Sequence, residues 1–275
     1  MQHFPADDGE PIHLAISGNG PPLILLHGWT DSHRSWKPFL PDFEAHHTVY
    51  RWDARGHGGH PLKTNTEPTA QRMARDLANL IEQHALSGAT VIGHSMGALT
   101  LWQYFRDFGA KGIERAVIID QSPKLVTGHD WHCGIYGDFS AIRNQAFIDA
   151  LENDFAEAVL RLVADGMNRP AAERYAANDE GIALMRRRLR KLSARPLIDC
   201  WRSLSAADYR DVLATIPIPV LLIYGGASNF YHVRTAHYVR DSIPNAVLHV
   251  YDNEDHAPHL WQRERFVKDV LEFVQ

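Results

Sequence analysis

The sequence predicts an α/β protein: a mostly parallel sheet with helices on both faces, interrupted by one long helical insertion. Three observations predict it. Short apolar runs bounded by Gly and Pro alternate with helical patterns through the first half of the chain. No strand pattern appears between Pro123 and Leu213. The strand pattern then resumes at Ile218 and closes on a final helix.

Taken in order, Ile12–Ser17 and Leu23–Leu26 read as strands, the second framed by Pro21-Pro22 and His27-Gly28. His47–Trp52 reads as a third. A helix follows at Pro68–Ala85, where Met73, Leu77, Leu80 and Ile81 recur at three- and four-residue steps and form one apolar face. Next come a strand at Thr90–Gly93, a helix at Met96–Phe108 and a strand at Ala116–Asp120. The insertion carries helical stretches at Asn144–Ala164 and Ala171–Leu192, and its basic run near Met185 reads as a solvated helix face. Strands at Ile218–Tyr224 and Ala246–Tyr251 and a helix at Pro258–Phe273 complete the pattern. Alternating strands and helices favour parallel βαβ units. The predicted organisation is a core of residues 1–122 and 214–275 with a helical cap, residues 123–213, inserted into it.

Composition narrows the function. The 275 residues are 45% hydrophobic and 22% charged, enough apolar chain for a sizeable core without disulfides or structural metals. Twenty-eight Lys and Arg against 33 Asp and Glu give a formal charge of −5, the wrong balance for a nucleic-acid binder. The first residues carry neither a basic segment nor an apolar one of the kind that directs export, and no apolar run is long enough to span a bilayer. Cys133 and Cys200 form no CxxC motif. These features lead us to expect a cytoplasmic protein with no membrane or nucleic-acid partner and a small-molecule substrate. A homo-oligomer stays open.

The chemistry is concentrated in Gly93-His94-Ser95-Met96-Gly97, a GxSxG motif between a predicted strand and a predicted helix. A sharp turn there projects the serine hydroxyl beyond the carboxyl end of the strand. Small residues two before and two after it avoid collision across the turn. Seventeen histidines, several at i, i+3 spacing, come without HExxH or a carboxylate-rich companion, so no metal and no cofactor is expected. Gly18-Asn19-Gly20 lacks the third glycine and the following helix of a dinucleotide site.

With these pieces the chain resembles the α/β-hydrolase superfamily along nearly its whole length. His27-Gly28-Trp29 resembles the oxyanion loop, Asp53-Ala54-Arg55-Gly56-His57-Gly58 the DxRGxG loop, and Asp255-His256-Ala257-Pro258-His259-Leu260 the histidine segment that opens the last helix. The resemblance implies an eight-stranded, mostly parallel sheet with a variable cap. It also implies Ser95 as nucleophile, His256 as general base and acid, and the backbone N–H groups of Trp29 and Met96 as oxyanion donors. His259, Asp53 and Arg55 read as structural.

The triad acid departs from the family pattern. It usually follows the strand after the cap, but there Gly225-Gly226-Ala227-Ser228 places Ser228 where Asp is expected. Asp120, at the end of the strand after the Ser95 helix, is the natural substitute. Some haloalkane dehalogenases and the cofactor-free ring-cleaving dioxygenases of this superfamily place their acid after the same strand. A different residue stays open, although Asp252 and Asp255 read as loop residues. Trp131, Tyr136, Phe139 and Trp201 are candidates to line a substrate site beneath the cap. The expected function is hydrolysis of a small ester, lactone or thioester through an acyl-enzyme on Ser95. Cofactor-independent dioxygenation is the alternative, weakened by Met96 where those enzymes carry His.

Overall fold

In the computed structural model, which describes residues 2–275, eight strands form one sheet in the order β1-β2-β4-β3-β5-β6-β7-β8. They are β1 (Gln2–Pro5), β2 (Pro11–Gly18), β3 (Pro22–Leu26), β4 (Thr48–Asp53), β5 (Ala89–His94), β6 (Ile113–Ile119), β7 (Val220–Gly225) and β8 (Ala246–Tyr251). The β1–β2 and β2–β4 pairs are antiparallel, and the pairs from β4 through β8 are parallel. Each run read as a strand from sequence overlaps one of β2 to β8, with ends displaced by one to three residues at β4, β6 and β7. β1 escaped that reading because it is a four-residue edge strand, exposed except for Phe4 and ended by Pro5.

The helices are α1 (Leu40–Phe43), α2 (Ala70–Gln83), α3 (Met96–Phe108), α4 (Ala141–Asn153), α5 (Phe155–Ala164) and α6 (Arg169–Ala176). They continue as α7 (Glu180–Leu189), α8 (Ala194–Ala206), α9 (Arg210–Leu213), α10 (Val233–Ser242), α11 (Pro258–Trp261) and α12 (Arg263–Phe273). Alternation along β3 splits the core in two: Ile24 and Leu26 join the cluster under α2 and α3, while Leu23 and Leu25 join the cluster of Trp36, Phe39, Phe43 and Phe266 on the opposite face. α2 starts where Thr69 Oγ1 accepts from the Arg72 N–H at 3.1 Å, and it buries Met73, Leu77, Leu80 and Ile81.

Between β6 and β7 the described backbone is helical, with short irregular links and isolated bridges. Two helices expected there are each divided by a cap. Asp154 leaves the helical region and its carboxylate accepts from the Glu157 N–H at 3.1 Å, ending α4 and starting α5. Asp179 starts α7 by accepting from the Ile182 N–H at 2.8 Å, after Asn178 takes a φ of 46°. The expected last helix is likewise divided, into α11 and α12, at Gln262. α8 is an addition to the sequence reading.

Candidate active site

The loops after β3, β5, β6, β7 and β8, at the carboxyl edge of the parallel strands, converge on one cavity. β5 runs into Ser95, which takes φ 53° and ψ −115°, a conformation unfavourable for a residue with a Cβ. The tight turn depends on its glycines. A Cβ on Gly93 would lie 2.6 Å from the Gly97 backbone, and one on Gly97 would lie 2.4 Å from the Leu26 carbonyl oxygen. Ser95 stands at the N-cap of α3, yet its side chain makes no capping bond and borders the cavity. Its hydroxyl is thereby kept from backbone capping, at the positive end of the helix dipole.

β6 ends immediately before Asp120, also at positive φ (43°). Its carboxylate is fully buried and satisfied on both oxygens. Oδ1 accepts from the Gly225 N–H at 3.0 Å. Oδ2 accepts from Ser228 Oγ at 2.6 Å and from His256 Nδ1 at 2.7 Å. Because the carboxylate can only accept, His256 Nδ1 is the donor in this bond, which leaves Nε2 as the ring nitrogen open to another partner. The imidazole, 17% exposed, borders the same cavity as Ser95. Phe230 stands edge-on to it with ring centroids 4.6 Å apart. Ser228, at the position expected of the acid, is a hydrogen-bond donor to the Asp120 carboxylate.

His94 ties the loops together. Its Nε2 donates to the His256 carbonyl at 3.0 Å, and a Cβ on Gly28 would stand 3.1 Å from its Nδ1. Burial, helped by the neighbouring His259 and His256, pushes the His94 pKa well below the usual histidine value, so the ring is neutral with one N–H. His259 packs against Trp36, Phe39 and Phe266, and burial pushes it down to about 3. Asp255 serves its loop, accepting from the Ala257 N–H at 2.8 Å and Trp261 Nε1 at 3.0 Å.

The cavity measures about 180 Å³. Gly28, Trp29 and Met96 border it together with Ser95. The Met96 N–H, at the first position of α3, has no intrahelical acceptor. Trp29 is held by its indole N–H on the Leu197 carbonyl at 2.9 Å and packs on Trp201 with centroids 4.9 Å apart.

Of the four aromatic residues expected at the substrate site, Trp201 borders the cavity. Trp131, Tyr136 and Phe139 do not. Trp131 is packed against Tyr238 and donates to the Lys124 carbonyl at 2.8 Å. Tyr136 donates its hydroxyl to the Leu162 carbonyl. Phe139 is buried against Tyr136, Phe147 and Trp201. These rings are consumed in joining the insertion to itself and to α10. The wall is instead largely apolar, with aliphatic Leu125, Ile135, Val159 and Leu162 beside aromatic Trp29, Trp201 and Phe230, and with Gln121 and Tyr231 near Asp120. No motif marks the aliphatic residues. The only signal for the last two was their closeness in sequence to Asp120 and Ser228.

The Alpha/beta hydrolase family profile matches residues 23–269. The chain belongs to that family. It is 26% identical to a pimeloyl-[acyl-carrier protein] methyl ester esterase of Vibrio campbellii over 264 residues, 96% of this chain and 98% of the relative. It is 24% identical to a 3-oxoadipate enol-lactonase of Acinetobacter baylyi over 273 residues, 97% and 94% of the two chains. In structure it is similar to an esterase from Exiguobacterium antarcticum, with a TM-score of 0.85 at 20% identity, covering 99% of this chain and 98% of that one. Among the described residues, no helix is long and apolar enough to cross a membrane, and no three His, Cys, Asp or Glu side chains are grouped to hold a metal ion.

Proposed function

We propose that this α/β hydrolase cleaves small carboxylic esters or lactones through an acyl-enzyme on Ser95, with His256 as base and acid and Asp120 as the orienting carboxylate. The observation that carries this reading is the 2.7 Å contact from His256 Nδ1 to Asp120, on a ring that shares its cavity with an uncapped serine. Ser95 Oγ attacks the substrate carbonyl carbon while its proton passes to His256 Nε2. The imidazolium formed is stabilised by Asp120. The Trp29 and Met96 N–H groups stabilise the oxyanion. Collapse breaks the bond to the leaving oxygen, which takes the proton from Nε2. Water then attacks the acyl-enzyme by the same route, releasing the acid and restoring Ser95.

The relatives named above include an ester-cleaving and a lactone-cleaving enzyme, which supports this reaction over ring-cleaving dioxygenation. In this reading the helical residues 123–213 act as the cap that roofs the cavity, and they contribute Trp201 together with Leu125, Ile135, Val159 and Leu162 to its wall. The volume suits a short acyl group: a cavity of about 150 Å³ holds benzene. The test is a p-nitrophenyl ester series from acetate to decanoate. Butanoate to hexanoate should give the highest kcat/KM, and Ser95→Ala should abolish turnover. Fastest turnover of acetate would contradict the size argument, and turnover by Ser95→Ala would contradict the mechanism.

A further inference from the structure

Gln121 follows Asp120 directly, is buried, and borders the cavity. Its side-chain oxygen accepts twice, from the Ser122 N–H at 2.7 Å and from the Tyr231 hydroxyl. A backbone N–H can only donate, so the atom it meets must be the amide oxygen, and the amide has one orientation. Its Nε2 meets no acceptor among the described residues, and it is not among the buried atoms closed off from any space. The space open to it is the cavity. The wall around it is otherwise largely apolar, with Leu99, Leu125, Leu162, Trp201 and Phe230 in its lining. A fixed amide donor in such a wall is costly unless something accepts from it.

We propose that Gln121 is a specificity-determining residue whose Nε2 donates to a second acceptor oxygen on the substrate, beyond the ester or lactone being cleaved. The charge of the site narrows that acceptor. Asp31 is a carboxylate on the lining, and among the described lining residues there is neither Lys nor Arg. A substrate carboxylate would lose its hydration there without gaining a counter-ion. The substrate class is therefore an uncharged oxo- or alkoxy-substituted short ester or lactone, of a size set by the cavity. This inference rests on the ester-hydrolysis reading and specifies its substrate.

The test compares matched pairs. On the acyl side, p-nitrophenyl hexanoate is paired with its 4-oxo and 5-oxo analogues. On the alcohol side, butyl butanoate is paired with 2-methoxyethyl butanoate, followed by pH-stat. The wild type should favour the oxygen-bearing member of at least one pair by about tenfold in kcat/KM, the discrimination one hydrogen bond supplies. Gln121→Met, close in shape but without a donor, should bring that ratio to about one. Gln121→Glu, which presents acceptors instead, should invert it. No preference in any wild-type pair overturns the proposal, as does a Gln121→Met ratio equal to that of the wild type. Should Gln121→Met fail to fold by thermal unfolding, Gln121→Glu is read alone by the same ratio: inversion supports the proposal and a ratio equal to that of the wild type overturns it. If the wild type cleaves no ester and takes no fluorophosphonate label, ester hydrolysis itself falls and the inference with it. If it is labelled but shows no preference, the inference alone falls.

Discussion

Two histidine–aspartate sites stand at strand ends in this molecule. Asp53, the last residue of β4, accepts from the His33 N–H at 2.7 Å, from His33 Nδ1 at 2.8 Å and from His60 Nε2 at 2.9 Å. Burial alone would raise its pKa, but the His33 N–H and the surrounding histidines hold the carboxyl below its usual value. Asp120 accepts from His256 at 2.7 Å, with Gly225 and Ser228 completing its shell. As hydrogen bonds the two sites are alike. They differ in what the rings face. His60 is stacked on His13 with centroids 3.4 Å apart, whereas His256 opens onto a cavity that it shares with Ser95. A histidine–carboxylate pair is thus no evidence of catalysis by itself. In the proposed reading, the cavity that His256 shares with Ser95 makes the difference.

The comparison breaks most directly under substitution. Asp120→Asn should lower kcat for a short ester by about 10³–10⁴-fold, since the imidazolium loses its counter-charge and its tautomer is no longer fixed. Asp53→Asn should change kcat less than about threefold. Its effect should appear as a loss of about 2–3 kcal/mol in urea unfolding, because buried donors lose a charged acceptor. Equal kinetic effects at both positions would erase the distinction.

Acid should weaken both regions alike. Burial pushes His57, beside the Asp53 loop, and His259, behind the active site, down to about 3. Both therefore stay neutral in the folded chain while the unfolded chain protonates near 6.5. Their stabilising contribution is complete above about pH 6.5 and is lost progressively as pH falls toward 3. At pH 5 each should cost about 2 kcal/mol. Urea midpoints at pH 7 and pH 5 measure this, and a pH-independent midpoint would contradict it.

The smallest effect sharpens the Asp120 side. Ser228→Ala removes one hydroxyl donor 2.6 Å from the carboxylate and should lower kcat about tenfold or less, with KM little changed. A loss as large as that of Asp120→Asn would make Ser228 more than a supporting donor.

Much of the fold was legible because it rests on local pattern. The apolar runs of β2 to β8 stand between Gly and Pro signals, and the face of α2 repeats at helical spacing. Ser95 was legible because its turn admits only small neighbours at 93 and 97. The position of Asp120 was legible as the end of a strand, but its contact with His256 joins residues 136 apart and exists only once β6, β7 and the β8 loop are assembled. The cavity wall was least legible. A buried aromatic side chain that joins two helices and one that faces a ligand have the same sequence signature, and so Trp131, Tyr136 and Phe139 could not be told from Trp201 before the insertion was packed. The aliphatic lining carries no signature distinct from core.

Whether Asp120 orients His256 for attack by Ser95 is decided by fluorophosphonate labelling, followed as covalent mass gain over time. This reaction needs an activated serine and oxyanion donors but no knowledge of the substrate. Wild type should label rapidly, Ser95→Ala not at all, and Asp120→Asn at least about 100-fold more slowly. Returning the carboxylate to the loop after β7, in Asp120→Asn/Ser228→Asp, should recover labelling to within about tenfold of wild type, because Ser228 Oγ already lies 2.6 Å from the Asp120 oxygen that meets His256. Labelling of Asp120→Asn at the wild-type rate would contradict the assignment.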